Sequence, residues 1–128
     1  EASAAVIAPR VQLSPDSAAA AGLILEHMAR TGERASELAA RLPRLSMLKH
    51  NLAVEPGRIY SVLQRMYDEL EREGREYDQT DGIKVNWPDG WVHVRVSNTE
   101  SLVRLIAEAD TPARARALLD WARDRLGR

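Results

Sequence analysis

The stretch Ile83-Lys84-Val85-Asn86-Trp87-Pro88-Asp89-Gly90-Trp91-Val92-His93-Val94-Arg95-Val96 alternates apolar and polar side chains on either side of a Pro-Asp-Gly break. Ile83, Val85 and Trp87 alternate with Lys84 and Asn86, and Val92, Val94 and Val96 alternate with His93 and Arg95. A period of two is that of a strand with one face buried. Proline presets φ and glycine accepts a positive φ, so Pro88-Asp89-Gly90 is read as a turn and the two runs as a hairpin. A third strand is expected from Leu102 to Glu108.

On the N-terminal side the period changes to 3.6. Ile59, Val62, Leu63, Met66, Tyr67 and Leu70 fall on one helical face, Arg65, Asp68, Glu69 and Arg72 fall on the other, and Gly74 ends the run. Before it, Leu45 to Val54 alternates imperfectly as a strand, and Pro56-Gly57 closes it. On the C-terminal side Thr111-Pro112 opens a last helix by the cap-then-proline rule, with Ala115, Leu118, Leu119, Ala122 and Leu126 inward. Strand, helix, three strands, helix predicts an α+β fold, a mostly antiparallel four-stranded sheet packed against two helices. Upstream, Asp16 or Ser17 caps a helix over Ser17–Arg30, whose Ala20, Leu23, Ile24, His27 and Met28 recur at helical spacing, with Gly32 at its C′ position. A shorter helix over Arg34–Arg41 is stopped by Pro43. Pro43-Arg44 marks a boundary between residues 1–44 and 45–128.

The balance of 18 Lys+Arg against 19 Asp+Glu leaves a net charge of −1. That argues against a phosphate-neutralising nucleic-acid surface and against a polybasic membrane anchor. With 45% apolar and 29% charged residues the composition is that of a globular protein, and 128 residues can bury a core. Zero cysteines exclude disulfides, thiolate metal sites and cysteine nucleophiles, and agree with an expected cytoplasmic location. The longest apolar run, Ala18 to Leu25, is too short for a membrane span. The opening Glu1-Ala-Ser-Ala-Ala has no initiator Met and no basic n-region, so a signal peptide is not expected and a portion of a longer protein is.

One constellation carries chemistry. Arg95-Val96-Ser97-Asn98-Thr99-Glu100-Ser101-Leu102-Val103-Arg104 is a loop of small hydroxyl and amide residues with an arginine at each end. If Arg95 faces Arg104, then Val94 opposes Leu105 and Val92 opposes Ala107 on an apolar face, while His93 opposes Ile106 beside both arginines. Two guanidinium groups would converge above a donor-rich loop, the outline of a phosphate cradle. The bland alternative is a polar hairpin loop with Arg–Glu pairing through Glu100. His27, His50 and His93 have no ligand spacing, so no metal site is expected, and His93 alone shares the face of Arg95. Trp87 and Trp91 flank the turn and are read as hairpin staples rather than sugar-stacking rings.

The segment Arg95-Val-Ser-Asn-Thr-Glu-Ser-Leu-Val-Arg104-Leu-Ile-Ala-Glu-Ala109 resembles the phosphate-binding loop of the α-D-phosphohexomutases, Arg-x-Ser-(Gly/Asn)-Thr-Glu-Pro followed by a short strand with a second Arg. Asp81-Gly82-Ile83-Lys84-Val85 and the strand Trp91 to Arg95 resemble the family's approach to that loop. The resemblance implies that 45–128 is the fourth, C-terminal domain of the family, of TBP-like type, which closes over the substrate phosphate. It implies that 1–44 is the C-terminal end of the preceding α/β domain. On it, Arg95, Ser97, Asn98, Thr99 and Arg104 bind the non-reacting phosphate of a hexose phosphate during 1,6-phosphoryl transfer. Glu1 and Ser3 resemble the tail of a sugar-binding loop, Gly-Glu-x-Ser-Gly-His.

Two positions depart from the pattern. Ser101 stands where proline is usual, and Ala4-Ala5 stand where Gly-His is usual. The family's phosphoserine loop (Thr-Ala-Ser-His-Asn-Pro) and its Asp-x-Asp-x-Asp magnesium loop have no counterpart in these 128 residues. Mg²⁺ is therefore expected outside this chain, and the chain by itself is expected to be inactive while the parent is a phosphohexomutase. The partners implied are the hexose phosphate and the remaining domains of the parent. Asn98, where the glucosamine branch more often has glycine, favours the phosphomannomutase/phosphoglucomutase branch. The competing reading is a stand-alone or degenerate module without enzymatic activity that binds a phosphorylated ligand or a protein.

Overall fold

The structure, a computed structural model, describes residues 6–10, 13–97 and 100–127. The chain divides into two compact units, Glu1–Pro43 and Arg44–Arg128. In the first, α1 (Ser17–Thr31) and α2 (Ala35–Ala40) are the helices. Asp16 caps α1, its Oδ1 accepting from the amides of Ala18 and Ala19, each at 2.9 Å. Gly32, at φ +75°, closes the other end by donating its N–H to the Met28 carbonyl at 2.8 Å. The apolar spacing of α1 predicts a covered face, yet none of its residues is buried, and Leu23 and Ile24 are 53% and 52% exposed. A unit of this size, with one long helix and one of six residues, has too little surface to close a core.

The second unit runs β1 (Ser46–Ala53), a 3₁₀ turn (Pro56–Arg58), α3 (Ile59–Arg72), β2 (Ile83–Trp87), β3 (Gly90–Val96), β4 (Leu102–Ala109) and α4 (Pro112–Leu126). Its strands form one sheet in the order β1-β4-β3-β2, with every neighbouring pair antiparallel. The expected elements are all present; the 3₁₀ turn and an isolated bridge between Asp78 and Lys84 are additions. Thr111 caps α4 as read, its Oγ1 accepting from the Arg114 amide at 3.2 Å with Pro112 at the first helical position.

Period two sorts the sheet into faces. Ile83, Val85, Val92, Val94, Val103, Leu105, Ala107 and Ala109 are buried against Val62, Leu63, Met66 and Leu70 of α3 and Ala115, Leu118, Leu119 and Ala122 of α4. Full burial of one such aliphatic side chain contributes about 1.5–3 kcal/mol. The two helices are joined by Arg125, which meets Glu73 at 2.7 Å and Glu69 at 3.6 Å. Both helices of this unit lie on that face, so within the unit the opposite sheet face carries no helix. Trp87 and Trp91 stand on opposite faces of the hairpin, because Trp87 pairs with Gly90 and Trp91 with Asn86 and successive register positions point oppositely. Trp87 packs edge-on against Trp121 of α4, with ring centroids 5.0 Å apart, while Lys84 Nζ lies 4.7 Å above the ring of Trp91.

Candidate functional site

The β3–β4 pairing has the register the alternation predicts, with Arg95 opposite Arg104, Val94 opposite Leu105, His93 opposite Ile106 and Val92 opposite Ala107. Cross-strand partners share a face with Cβ atoms about 5 Å apart, so the two arginines stand side by side on the helix-free face. Like charges directly opposite are destabilising, and each arginine has an acid beside it. Arg95 Nε lies 3.4 Å from Asp81 Oδ2, and Arg104 Nη2 lies 3.6 Å from Glu100 Oε2. These acids are more than half exposed, where ion pairs contribute little. The pairing of Arg104 with Glu100 is the one the bland alternative called for.

The loop is pinned at both ends. Ser97 donates its N–H to the Leu102 carbonyl at 3.0 Å, and Leu102 donates to the Glu100 carbonyl at 2.8 Å, a three-residue turn centred on Ser101. The Val54 amide donates to the Ser101 carbonyl at 3.3 Å, tying the loop to the end of β1. Ser97 is 9% exposed, and its Oγ is buried with no hydrogen-bond partner among the described residues. An unsatisfied buried hydroxyl costs about 1–3 kcal/mol. Of the residues expected to form the cradle, the structure sets Arg95 opposite Arg104, and it places Ser97 at the start of the loop between them with its hydroxyl enclosed. Asn98 and Thr99, and the sugar-loop candidates Glu1 and Ser3, lie outside the described residues.

Sequence reasoning missed the support on the far side of Arg95. Asp81 uses its carboxylate on Arg95 and its carbonyl on His93, whose Nε2 lies 2.5 Å from that oxygen and, since a carbonyl only accepts, donates to it. Gly82, at φ +85°, lies so close to β3 that a Cβ there would stand 2.2 Å from the Val94 carbonyl oxygen. Tyr67 donates its hydroxyl to the Gly82 carbonyl at 3.2 Å. The Asp-Gly pair ahead of a strand was the available signal; nothing local said which side chain it would meet. Nearby, hydrogen bonds from Thr80, side chain first and then main chain, hold the Asp78 carboxyl below the usual carboxylate range, with Lys84 and His93 adding smaller effects. Among the described residues no three His, Asp or Glu side chains gather so as to hold a metal ion.

A family model described as the phosphoglucomutase/phosphomannomutase C-terminal domain matches residues 37–124. The chain is 36% identical over 115 residues to a phosphoglucomutase/phosphomannomutase of Thermococcus kodakarensis, covering 90% of this chain and 25% of that protein. It is 31% identical over 122 residues to a probable phosphoglucosamine mutase of Methanocella arvoryzae, covering 95% and 28%. It thus spans about a quarter of the length of these curated relatives. The crystal structure of a phosphoglucomutase/phosphomannomutase family protein from Burkholderia thailandensis superposes with a TM-score of 0.60 at 26% identity, covering 77% of this chain and 20% of that one. The matched residues take in every strand of the sheet and both helices on it apart from the last two residues of α4, and on that match the chain belongs to the phosphoglucomutase/phosphomannomutase family, whose C-terminal domain it carries.

Proposed function

We propose that this chain is the phosphate-anchoring C-terminal portion of a phosphohexose mutase, and that Arg95, Ser97, Asn98, Thr99 and Arg104 hold the non-reacting phosphate of a hexose phosphate during 1,6-phosphoryl transfer. The observation that carries the reading is the direct opposition of Arg95 and Arg104 on the helix-free face, at the two ends of the loop that Ser97 begins. A fold that sets two cations opposite each other gives up stability there, and a dianion reverses the sign of that interaction. Charge-assisted hydrogen bonds contribute about 1.5–3 kcal/mol each, so a few of them hold a phosphate ester. Because the bound bisphosphorylated intermediate must present either end for transfer, the anchor reads the phosphate and not the sugar.

Residues 1–44 are, on this reading, the end of the preceding domain of the parent, and the open apolar face of α1 is the kind of surface such a remnant would show. The chain lacks the phosphoserine and magnesium loops, so it binds and does not turn over, in a cytoplasmic parent that supplies them. Asn98 supports the phosphomannomutase/phosphoglucomutase branch. Among the described residues no helix is long and apolar enough to cross a membrane.

The test is an amide NMR titration of the 128-residue chain with mannose 6-phosphate, with inorganic phosphate and mannose as controls. Shifts confined to residues 95–104 are expected with either phosphate and none with mannose, and Arg95→Ala is expected to weaken phosphate binding by roughly tenfold or more. Phosphate affinity unchanged by Arg95→Ala would sink the reading.

A further inference from the structure

We propose that Asp81 is a positioning residue for the phosphate site. Its carboxylate holds Arg95 from the Nε side and so turns the two terminal nitrogens of the guanidinium toward the phosphate. This rests on the reading above and deepens it. A guanidinium presents its donors in one rigid plane, and a phosphate takes two of them in parallel. Asp81 Oδ2 approaches Nε, the nitrogen nearest the chain, at 3.4 Å, and among the described residues it is the one acid paired with Arg95. The Arg95 side chain is the more enclosed of the two, at 25% exposed. Glu100 shows the opposite arrangement, since it meets Arg104 at a terminal nitrogen, the end a phosphate needs.

The main chain sets Asp81 in place without help from its carboxylate. The missing Cβ of Gly82 lets residue 82 lie against the backbone of Val94 and Arg95, where a Cβ would stand 3.2 Å from Arg95 Cα. His93 donates to the Asp81 carbonyl and Tyr67 to the Gly82 carbonyl. Removing only the carboxylate therefore leaves the 81–82 segment docked while freeing the Arg95 side chain to rotate.

The sign of the effect separates positioning from charge. An acid beside an anion site repels the anion, so deleting its charge alone tightens phosphate binding. Positioning predicts the reverse. Inorganic phosphate is titrated into the 128-residue chain carrying Asp81→Asn and, separately, Asp81→Ala, following the amides of residues 95–104 and the Nε–Hε resonance of Arg95. Both variants are expected to bind phosphate about two- to fivefold more weakly, the scale of a partly exposed ion pair. The Arg95 Nε–Hε resonance is expected to shift before any phosphate is added, with the β2–β4 amide shifts otherwise kept, and Asp81→Glu is expected to restore most of the affinity. Equal or tighter binding in both variants overturns the proposal. Arg95→Ala, run in parallel, separates the two failures. If it binds phosphate like the parent chain, the site itself is wrong; if it abolishes binding while the Asp81 variants bind normally, only the positioning role falls.

Discussion

Replacing Gly82 by alanine tests whether the docking of the 81–82 segment on β3 organises this end of the sheet. Gly82 has φ +85°, where an alanine costs roughly 1–2 kcal/mol relative to its preferred backbone. Its Cβ would stand 2.2 Å from the Val94 carbonyl oxygen, more than an ångström inside ordinary contact, and no rotamer relieves that because Cβ is fixed by the backbone. The segment must then lift off β3, and the 3.2 Å hydrogen bond from Tyr67 to the Gly82 carbonyl goes with it, about 1 kcal/mol more. A total loss of about 3 kcal/mol or more is expected, a fall in Tm of roughly 10–25 °C for a unit of this size. All three tryptophans, Trp87, Trp91 and Trp121, lie in Arg44–Arg128, so urea denaturation followed by their fluorescence reports that unit alone. Gly57→Ala is the control, since nothing lies within 4 Å of where the new Cβ would stand and its φ is not left-handed; its effect is expected to stay within about 1 kcal/mol. A loss below about 1 kcal/mol for Gly82→Ala would refute the reasoning, because either the backbone strain or the overlap alone exceeds it.

Two further substitutions test neighbouring parts of the same argument. Ser101→Pro is expected to raise stability by about 0.5–1 kcal/mol, since no described non-glycine residue has positive φ and the three-residue turn centred on Ser101 takes a φ near that of proline; a lower urea midpoint would count against that turn. Asp78, whose carboxyl is held below its ordinary value of 3.8 by Thr80, contributes stability that is present above that pH and lost as pH falls through the lower folded value. Asp78→Asn is therefore expected to lower Tm at neutral pH and to flatten its fall below about pH 4; parallel curves for parent and variant would show that the carboxylate contributes nothing.

Much of the second unit was legible because its signals are local. Alternation from Ile83 to Val96 and the 3.6 period from Ile59 to Leu70 each constrain neighbours within a few residues, and proline and glycine mark where each element stops. Even the β3–β4 register followed, because a slip of one residue would turn Val92, Val94 and Leu105 out of the core. The opposition of Arg95 and Arg104 was thus readable in advance. What was not readable lies in residues 73–82, which have no apolar period, so nothing in them says where the chain returns to the sheet. The partners of the two tryptophans were not readable either: both flank one turn, and the pleat sends Trp87 to Trp121 on one face and Trp91 to Lys84 on the other. In α1 the period was right and the face it marks is open, because periodicity marks a face and says nothing about whether its own unit can cover it.

The sequence by itself determined the elements, their order, the antiparallel hairpin and the arginine pair, since each depends on pattern within a few residues or on burial of one face. Only the tertiary structure decided that Asp81 stands at the Nε side of Arg95 and Glu100 at the terminal side of Arg104, that Ser97 Oγ is enclosed, and that Gly82 must remain without a side chain. Those facts depend on how closely two non-neighbouring stretches of backbone approach. That distance is set by packing of the whole unit, by Tyr67 on one side and β3 on the other, and no local pattern encodes it.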